Sequence, residues 1–343
     1  MSPIRLSLAC YKYDRTEALS TGEVMPEGID LTYVTPSFHG SVMNHPFRTM
    51  FVQPEFDTAE LAIDDYILTK LSRDKANLTA IPVFPMRVFF HTKFAVNCQS
   101  GIAEPADLRG KRVGLTEYAI GAPFWARGIL QHEFGVKPSD VEWVEERRIG
   151  ERVADVLGFK PPADVVVKSM PENSDLVTML FEGKIDALLT NVGVGRRWLD
   201  RIEVAEAKFG KERIKPLFAD PKAEAIRFYK KTGLFPANHV IVIRNEILKE
   251  YPWVAASLFD SFQKAKQLSY KKTASLTREP TNFVWLDSLY QELNDTFGDD
   301  PYPYGVKANK KLIDAVINYV YEQGYRSRKA TVDELFAPAT LDT

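Results

Sequence analysis

Two histidines of this chain stand where proton chemistry could be placed. His239 opens the apolar run "HVIVIR" directly after the turn-like "KKTGLFPAN", and His91 lies within "RVFFHTKF". An imidazole gives and takes a proton near neutral pH, so these two are the candidate catalytic residues, for proton transfer. The competing reading is plain: a histidine in a strand is ordinarily packed and hydrogen-bonded. His39 and His45, in "FHGSVMNH", are six apart, which matches no helical ligand spacing, and Pro46 marks a loop. The chain has no H-E-x-x-H and no cysteine cluster, so no metal ligands are assigned, and a divalent metal stays open as a cofactor.

Three arginines are candidates for holding a carboxylate, because a guanidinium presents a planar fork that binds it through two bonds. Arg87 stands between the prolines of "IPVFPM" and the apolar "VFF", where an uncompensated charge would be costly. Arg127 sits on a helix, with an interhelical ion pair or a surface position as its ordinary alternative. Arg15 lies in the loop after the first strand, and Asp14 beside it offers an internal partner. Strand-to-helix junctions favour anions through backbone N–H groups and the positive dipole end. Thr116, Glu117 and Tyr118 form one such junction: Glu117 could accept from a hydroxyl, and Tyr118 could stack on a ring, unless both merely cap. Asn191, just after "IDALLT", sits at another strand end and could hydrogen-bond a ligand. Asp64, Asp65 and Tyr66 open a helix in the same way. Two carboxylates there would repel a dianion unless a cation intervenes.

These groups need a scaffold to bring them together. "IRLSLAC", "IDLTYV", "TAIPVFP" and "VFFHTKFAVN" read as strands, with "DDYILTKLSRDK" as a helix capped by Asp64. "KRVGL" is a strand feeding a helix through "APFWARGILQHEFG", with Pro123 in its first turn and Gly135 at its end. "DVVVKSM", "NSDLVTMLFEGK" and "IDALLTN" repeat the strand–helix–strand alternation. "HVIVIR" is a strand, "EYPWVAASLFDSFQKAKQLSYKKT" a long amphipathic helix, and "KANKKLIDAVINYVYEQG" another, stopped by Gly324. Alternating elements argue for an α/β fold with mainly parallel sheets. The economical arrangement is two lobes. Residues 1–97 plus 239–343 form the first, residues 98–238 the second, and a ligand cleft lies between them where the chain crosses twice.

The bulk numbers bound the function. A chain of 343 residues, 45% hydrophobic, can build a sizeable core. A net charge of -2 gives no footprint for nucleic acid or an anionic membrane surface. No run approaches the roughly 20 apolar residues of a membrane span. The opening "MSPIRLSLACYKYDR" lacks the basic start and long apolar core of an export signal, so a cytoplasmic protein is expected. The two cysteines, Cys10 and Cys98, suggest buried thiols in a reducing compartment. Self-association into a homo-oligomer stays open. Neither a Walker A loop nor a G-x-G-x-x-G fingerprint opens a helix, and no organic cofactor is expected.

"KRVGLTEYAIGAPFWARGIL", "FYKKTGLFPANHVIVIRNEIL", "YPWVAASLFDSFQKAK", "DPYPYGVKANKK" and "QGYRSRKATVDELFAP" carry a resemblance, kept in order almost end to end. Together with "LSLACYKYDRTEAL", "GIDLTYV" and "AIPVFPMRVFFHTKFAVN", they resemble the 4,5-dihydroxyphthalate decarboxylase family. The resemblance implies a type 2 periplasmic-binding-protein fold with two α/β lobes. It implies non-oxidative decarboxylation of a hydroxylated aromatic acid, such as 4,5-dihydroxyphthalate to protocatechuate, with that small acid as the partner. Such chemistry needs a proton donor near the carbon that loses the carboxylate, a partner for the phenol oxygen, and fixed cations for the other carboxylate.

The same fold serves other functions, and fold does not decide between them. The runner-up is a solute-binding protein that delivers a small organic anion to a transporter. Against it stands the lack of an export signal; Cys10 follows "LSLA" without the flanks of a lipoprotein site. A thiamine-pyrimidine synthase of the same fold would carry a cluster of cysteines and histidines for iron, and this chain shows none.

Overall fold

Short apolar strands alternating with helices assemble into two sheets. The computed structural model describes residues 2–36, 50, 55–72, 77–190, 196–279 and 281–343. The strands are β1 (Ile4–Ala9), β2 (Ile29–Val34), β3 (Thr58–Ala62), β4 (Leu78–Ile81), β5 (Phe94–Asn97), β6 (Arg112–Leu115), β7 (Glu142–Glu145), β8 (Val166–Ser169), β9 (Ala187–Leu189), β10 (Ile214–Pro216) and β11 (His239–Arg244). The helices used below are α1 (Ile63–Lys70), α2 (Gly121–Phe134), α3 (Pro221–Thr232), α4 (Val254–Leu276) and α5 (Lys310–Glu322). One sheet has the order β2-β1-β3-β11-β4, the other β10-β5-β9-β6-β7-β8.

Parallel pairing holds where strands alternate with helices: β1 with β2 and β3, and β6 with β7 and β9. The strands next to the crossings are the exception to the mainly parallel expectation. β11 runs antiparallel to β3 and β4, and β5 antiparallel to β9 and β10. A strand that enters a sheet directly from the other lobe, without a crossover helix, has no need of the parallel sense.

The first crossing lies earlier than the 97/98 boundary expected from sequence. β5, Phe94–Asn97, pairs within the second sheet, so the chain leaves the first before Phe94. The stretch "VFFHTKFAVN" is not one strand: Phe90–Thr92 is a 3-10 turn. The return runs directly into His239. The two crossings lie side by side, with Val88 N–H donating to the Pro236 carbonyl at 3.0 Å and Asn238 N–H to the Met86 carbonyl at 2.9 Å.

Helix α2 locks this junction. The Trp125 indole Nε1–H donates to the Ala237 carbonyl at 2.9 Å, and the Gln323 amide donates to the Phe124 carbonyl at 3.0 Å. Gly121, in the first turn of α2, lies so close to Asn238 that a Cβ there would meet Oδ1 at 2.1 Å. Gly128, two turns along, meets the ring of Tyr319 on α5, where an added Cβ would lie 2.2 Å from Cδ2. Alanine is the better helix former by about 1 kcal/mol. Gly128→Ala is nevertheless expected to lower stability by about 1–3 kcal/mol, because the buried ring has no room to yield. Urea unfolding checks the sign: a stabilised variant would mean that α2 and α5 do not pack this closely.

Candidate functional site

Glu60 occupies the middle of β3, the central strand of its sheet, with no exposed surface. A carboxylate buried this deeply must be paired or fully hydrogen-bonded. The register supplies the partners. β11 runs antiparallel with His239 opposite Ala62 and Ile241 opposite Glu60, so His239 is the diagonal neighbour of Glu60 on the same face. His239 Nδ1 lies 2.5 Å from Glu60 Oε1. The Tyr13 hydroxyl donates to the same oxygen at 2.6 Å. Oε2 accepts from the Tyr11 backbone N–H at 2.9 Å and the Cys10 thiol at 3.2 Å. Burial alone would raise the Glu60 pKa. The charge and hydrogen bond of His239, with those of Tyr13 and Tyr11, outweigh it and hold the group below its ordinary value. Burial also pushes the Cys10 thiol up, with the Glu60 charge adding to it. With Glu60 against Nδ1, the imidazole orientation is fixed.

A second group of polar atoms meets this one at the junction. Ile63 N–H donates to the Asn238 carbonyl at 2.9 Å, which sets the start of α1 beside His239. Asp64 is fully buried, and neither of its oxygens has a hydrogen-bond partner among the described residues. Burial raises its pKa, offset in part by nearby backbone N–H groups and by the charges of Arg127 and His239. Asp65 is raised further, by burial and then by the charges of Asp64 and Glu117, with Arg147 opposing. Asp65 Oδ1, Thr116 Oγ1, the Tyr118 hydroxyl and Asn238 Oδ1 are likewise buried without partners among the described residues. A concentration of orphaned polar atoms at one junction is costly to folding and is the mark of a place built for a ligand.

The structure separates the two histidines. His91 is buried among Phe89, Phe218 and Phe228, with Glu224 of α3 3.3 Å away but not aligned for a hydrogen bond. Burial lowers its pKa despite Glu224. It packs α3 against the first crossing and has no contact with the Glu60–His239 pair.

The three arginines expected to bind carboxylate hold the chain together instead. Arg87 donates to the carbonyls of Phe235 and Pro303 and to Asn309 Oδ1, and burial pushes it down to about 10. Arg15 binds the Pro85 carbonyl and Asp14, as the neighbouring acid suggested, and its guanidinium lies 4.0 Å from the Tyr302 ring centroid. Arg127 bridges α2 to the C-terminal segment through Gln323 Oε1 and the Tyr325 hydroxyl, and also binds the Tyr118 carbonyl. Each is spent on backbone carbonyls and side-chain acceptors that join distant parts of the chain.

Glu117 is buried and bound by Arg147 at 2.6 Å and by the Ala154 N–H at 2.8 Å, so its oxygens are committed. Burial still raises its pKa, more than Arg147 lowers it. Tyr66 ties the Leu335 carbonyl to the Ala80 N–H and is structural. Tyr118 stacks under Arg127, 3.6 Å from ring centroid to guanidinium. Asn191, His39 and His45 lie outside the described residues.

Sequence reasoning missed Glu60, Tyr13 and Arg147. The available signal for Glu60 was a single carboxylate inside the otherwise small and apolar "TAELAI". The Arg147 guanidinium donates to Glu117, its one side-chain hydrogen bond among the described residues, and its backbone N–H donates to the Thr116 carbonyl at 3.0 Å. Among the described residues, no group of three or more His, Cys, Asp or Glu is placed to hold a metal ion, and no helix is long and apolar enough to cross a membrane.

Comparison with known proteins adds the following. Over 346 aligned residues the chain is 29% identical to 4,5-dihydroxyphthalate decarboxylase of Comamonas testosteroni, covering 100% of this chain and 99% of that one. Over 232 residues it is 33% identical to the enzyme of the same name from Pseudomonas putida, covering 67% of this chain and 83% of that one. A periplasmic sulfonate-binding protein from Methylobacillus flagellatus KT has the same fold, with a TM-score of 0.55 at 14% identity, covering 98% of this chain and 93% of that one. The architecture is therefore the two-lobed periplasmic-binding-protein fold. No protein-family model matches the chain.

The buried acids give opposite pH signatures. Glu60, with a depressed pKa, contributes stability above the unfolded value of about 4.3, lost as pH falls through its folded value. Glu60→Ala is expected to cost roughly 3–5 kcal/mol at neutral pH and clearly less at pH 3.5. Asp64 has a raised pKa, so its ionisation subtracts stability as pH climbs past the unfolded value of about 3.9. Asp64→Asn is expected to raise the melting temperature at pH 7 and to leave it nearly unchanged at pH 3.5. Thermal unfolding at the two pH values reads both, and a destabilised Asp64→Asn at pH 7 would remove the acid pair from the site.

Proposed function

The chain belongs to the 4,5-dihydroxyphthalate decarboxylase family, and from that premise we propose that it is a carboxy-lyase acting on a hydroxylated aromatic acid, with 4,5-dihydroxyphthalate the leading substrate and protocatechuate the product. The observation that carries the reading at the site is the Glu60–His239 pair, set beside a carboxyl whose pKa is moved the other way. Two titratable groups pushed apart by their surroundings are what an acid–base division of labour requires.

The chemistry follows from the ring. A hydroxyl para to the departing carboxylate shares its proton with a base, and density moves into the ring. The carbon bearing the carboxylate then takes a proton. The C–C electron pair returns to the ring as carbon dioxide leaves, and the hydroxyl recovers its proton. One proton is consumed for each carboxylate replaced. His239, oriented through Nδ1 by Glu60, is the proton donor to that carbon from Nε2. Asp64 is the partner of the phenol, since burial lifts its pKa toward neutrality and makes it a stronger base. Arg147 takes the second carboxylate in place of the three arginines that the fold consumes, and Asn238 supplies a polar contact to the bound ring. The free thiols of Cys10 and Cys98 support a reducing, cytoplasmic setting, in the breakdown of phthalate-type acids.

Incubation with 4,5-dihydroxyphthalate and a panel of hydroxybenzoates, following carbon dioxide release and product, tests the reading. Saturable binding without release would make the protein a binding module. His239→Ala is expected to lower kcat by about 10²–10⁴ with the fold intact, the range of a lost general acid. His91→Ala should leave kcat within a few-fold. Arg147→Ala should act mainly on KM, as loss of uniform binding does. Full turnover in His239→Ala would sink the assignment.

A further inference from the structure

The second sheet carries a cavity that the proposed reaction does not use. β6, β7 and β8 are parallel and end together at Leu115, Glu145 and Ser169. Beyond their carboxyl ends, the 152–165 segment between β7 and β8 folds back over the strands. It forms one side of a half-open pocket of about 520 Å³, within the range of roughly 300–1,000 Å³ typical of small-molecule sites. Its walls include Tyr118, Phe159, Pro162, Val167 and Ser169, with Lys160 at the rim. His239, Glu60 and Asp64 do not line it.

The lining combines an apolar part, a set of charges paired among themselves and one uncommitted ammonium. Arg152 is spent on Glu145 at 3.0 Å and Asp155 at 2.8 Å. Lys160 makes no hydrogen bond or ion pair among the described residues. The Tyr118 hydroxyl is buried without a partner. Phe159 already stacks on Tyr325 at 4.3 Å, so its ring is held as a fixed wall. A slot of mixed polarity with a rigid aromatic wall suits a planar ring that carries a polar group. A lone ammonium and an unpaired phenol hydroxyl suit a single carboxylate.

We propose that this cavity is a second binding site, for a small planar aromatic monocarboxylate, separate from the Glu60–His239 centre. The ring lies between Phe159, Pro162 and Val167, and the carboxylate meets Lys160. This site does not depend on the decarboxylase reading.

Benzoate is the probe, because it lacks the para hydroxyl that the reaction needs. Calorimetric titration of the full chain is expected to show benzoate binding that Lys160→Glu weakens by at least about tenfold. Ala163→Trp, an exposed lining position that can take the ring without disturbing the core, should weaken it as much by filling the space. His239→Ala should leave it unchanged, and Lys160→Glu should leave turnover unchanged. Circular dichroism confirms that each variant is folded. The proposal is overturned if benzoate does not bind, if both lining variants bind it as tightly as the parent, or if His239→Ala abolishes binding. Carbon dioxide release, read separately, keeps that failure distinct from failure of the decarboxylase reading.

Discussion

A carboxylate with no access to water must be satisfied by the protein, and Glu60 sets that demand at the centre of the first sheet. Its two oxygens collect the Tyr13 hydroxyl, the Tyr11 N–H, the Cys10 thiol and the His239 imidazole. Those donors come from the end of β1 and the start of β11, so satisfying one residue fixes the relative position of three strands. The low-dielectric surroundings strengthen each bond and make the loss of any one expensive. The same demand orients His239, so the group that stabilises the sheet also fixes the imidazole at the junction.

Around this pair the fold divides its charges by purpose. Arg15, Arg87 and Arg127 are consumed by backbone carbonyls and side-chain acceptors in the crossings and the C-terminal segment. They make the junction rigid. Asp64 and Asp65, by contrast, are left buried without that compensation. Stability is given up at the acid pair and recovered in the arginine bridges, the usual arrangement where a site must stay ready for a ligand.

Much of the scaffold was legible in the sequence, because long amphipathic helices and strand–helix alternation leave periodic signals. α2, α4 and α5 and strands β1, β2, β6 and β11 follow their patterns closely. β3 was not legible. "TAELA" has no apolar alternation, since its face toward the crossings is reserved for Glu60, and with it went the main partner of His239. The first crossing was placed too late because "VFFHTKFAVN" is continuously apolar whether it forms a strand or an aromatic-packed turn. The arginines were identifiable as special but not as bridges: their acceptors are carbonyls up to some two hundred positions away, which local sequence does not reveal.

The insertion of β11 between β3 and β4 bears on how the molecule is made. Glu60 and His239 are 179 positions apart, and β11 is the fourth of five strands in its sheet's spatial order. During synthesis the first sheet therefore waits, split between β3 and β4, until the entire second sheet has emerged. Such a topology pays its loop-closure entropy late, and folding that depends on distant pairings is slow. It also makes the pair an internal check on assembly. A chain arrested before residue 239 can form much of the second sheet but has no histidine to give Glu60, so the buried carboxylate lacks that partner until both halves are present.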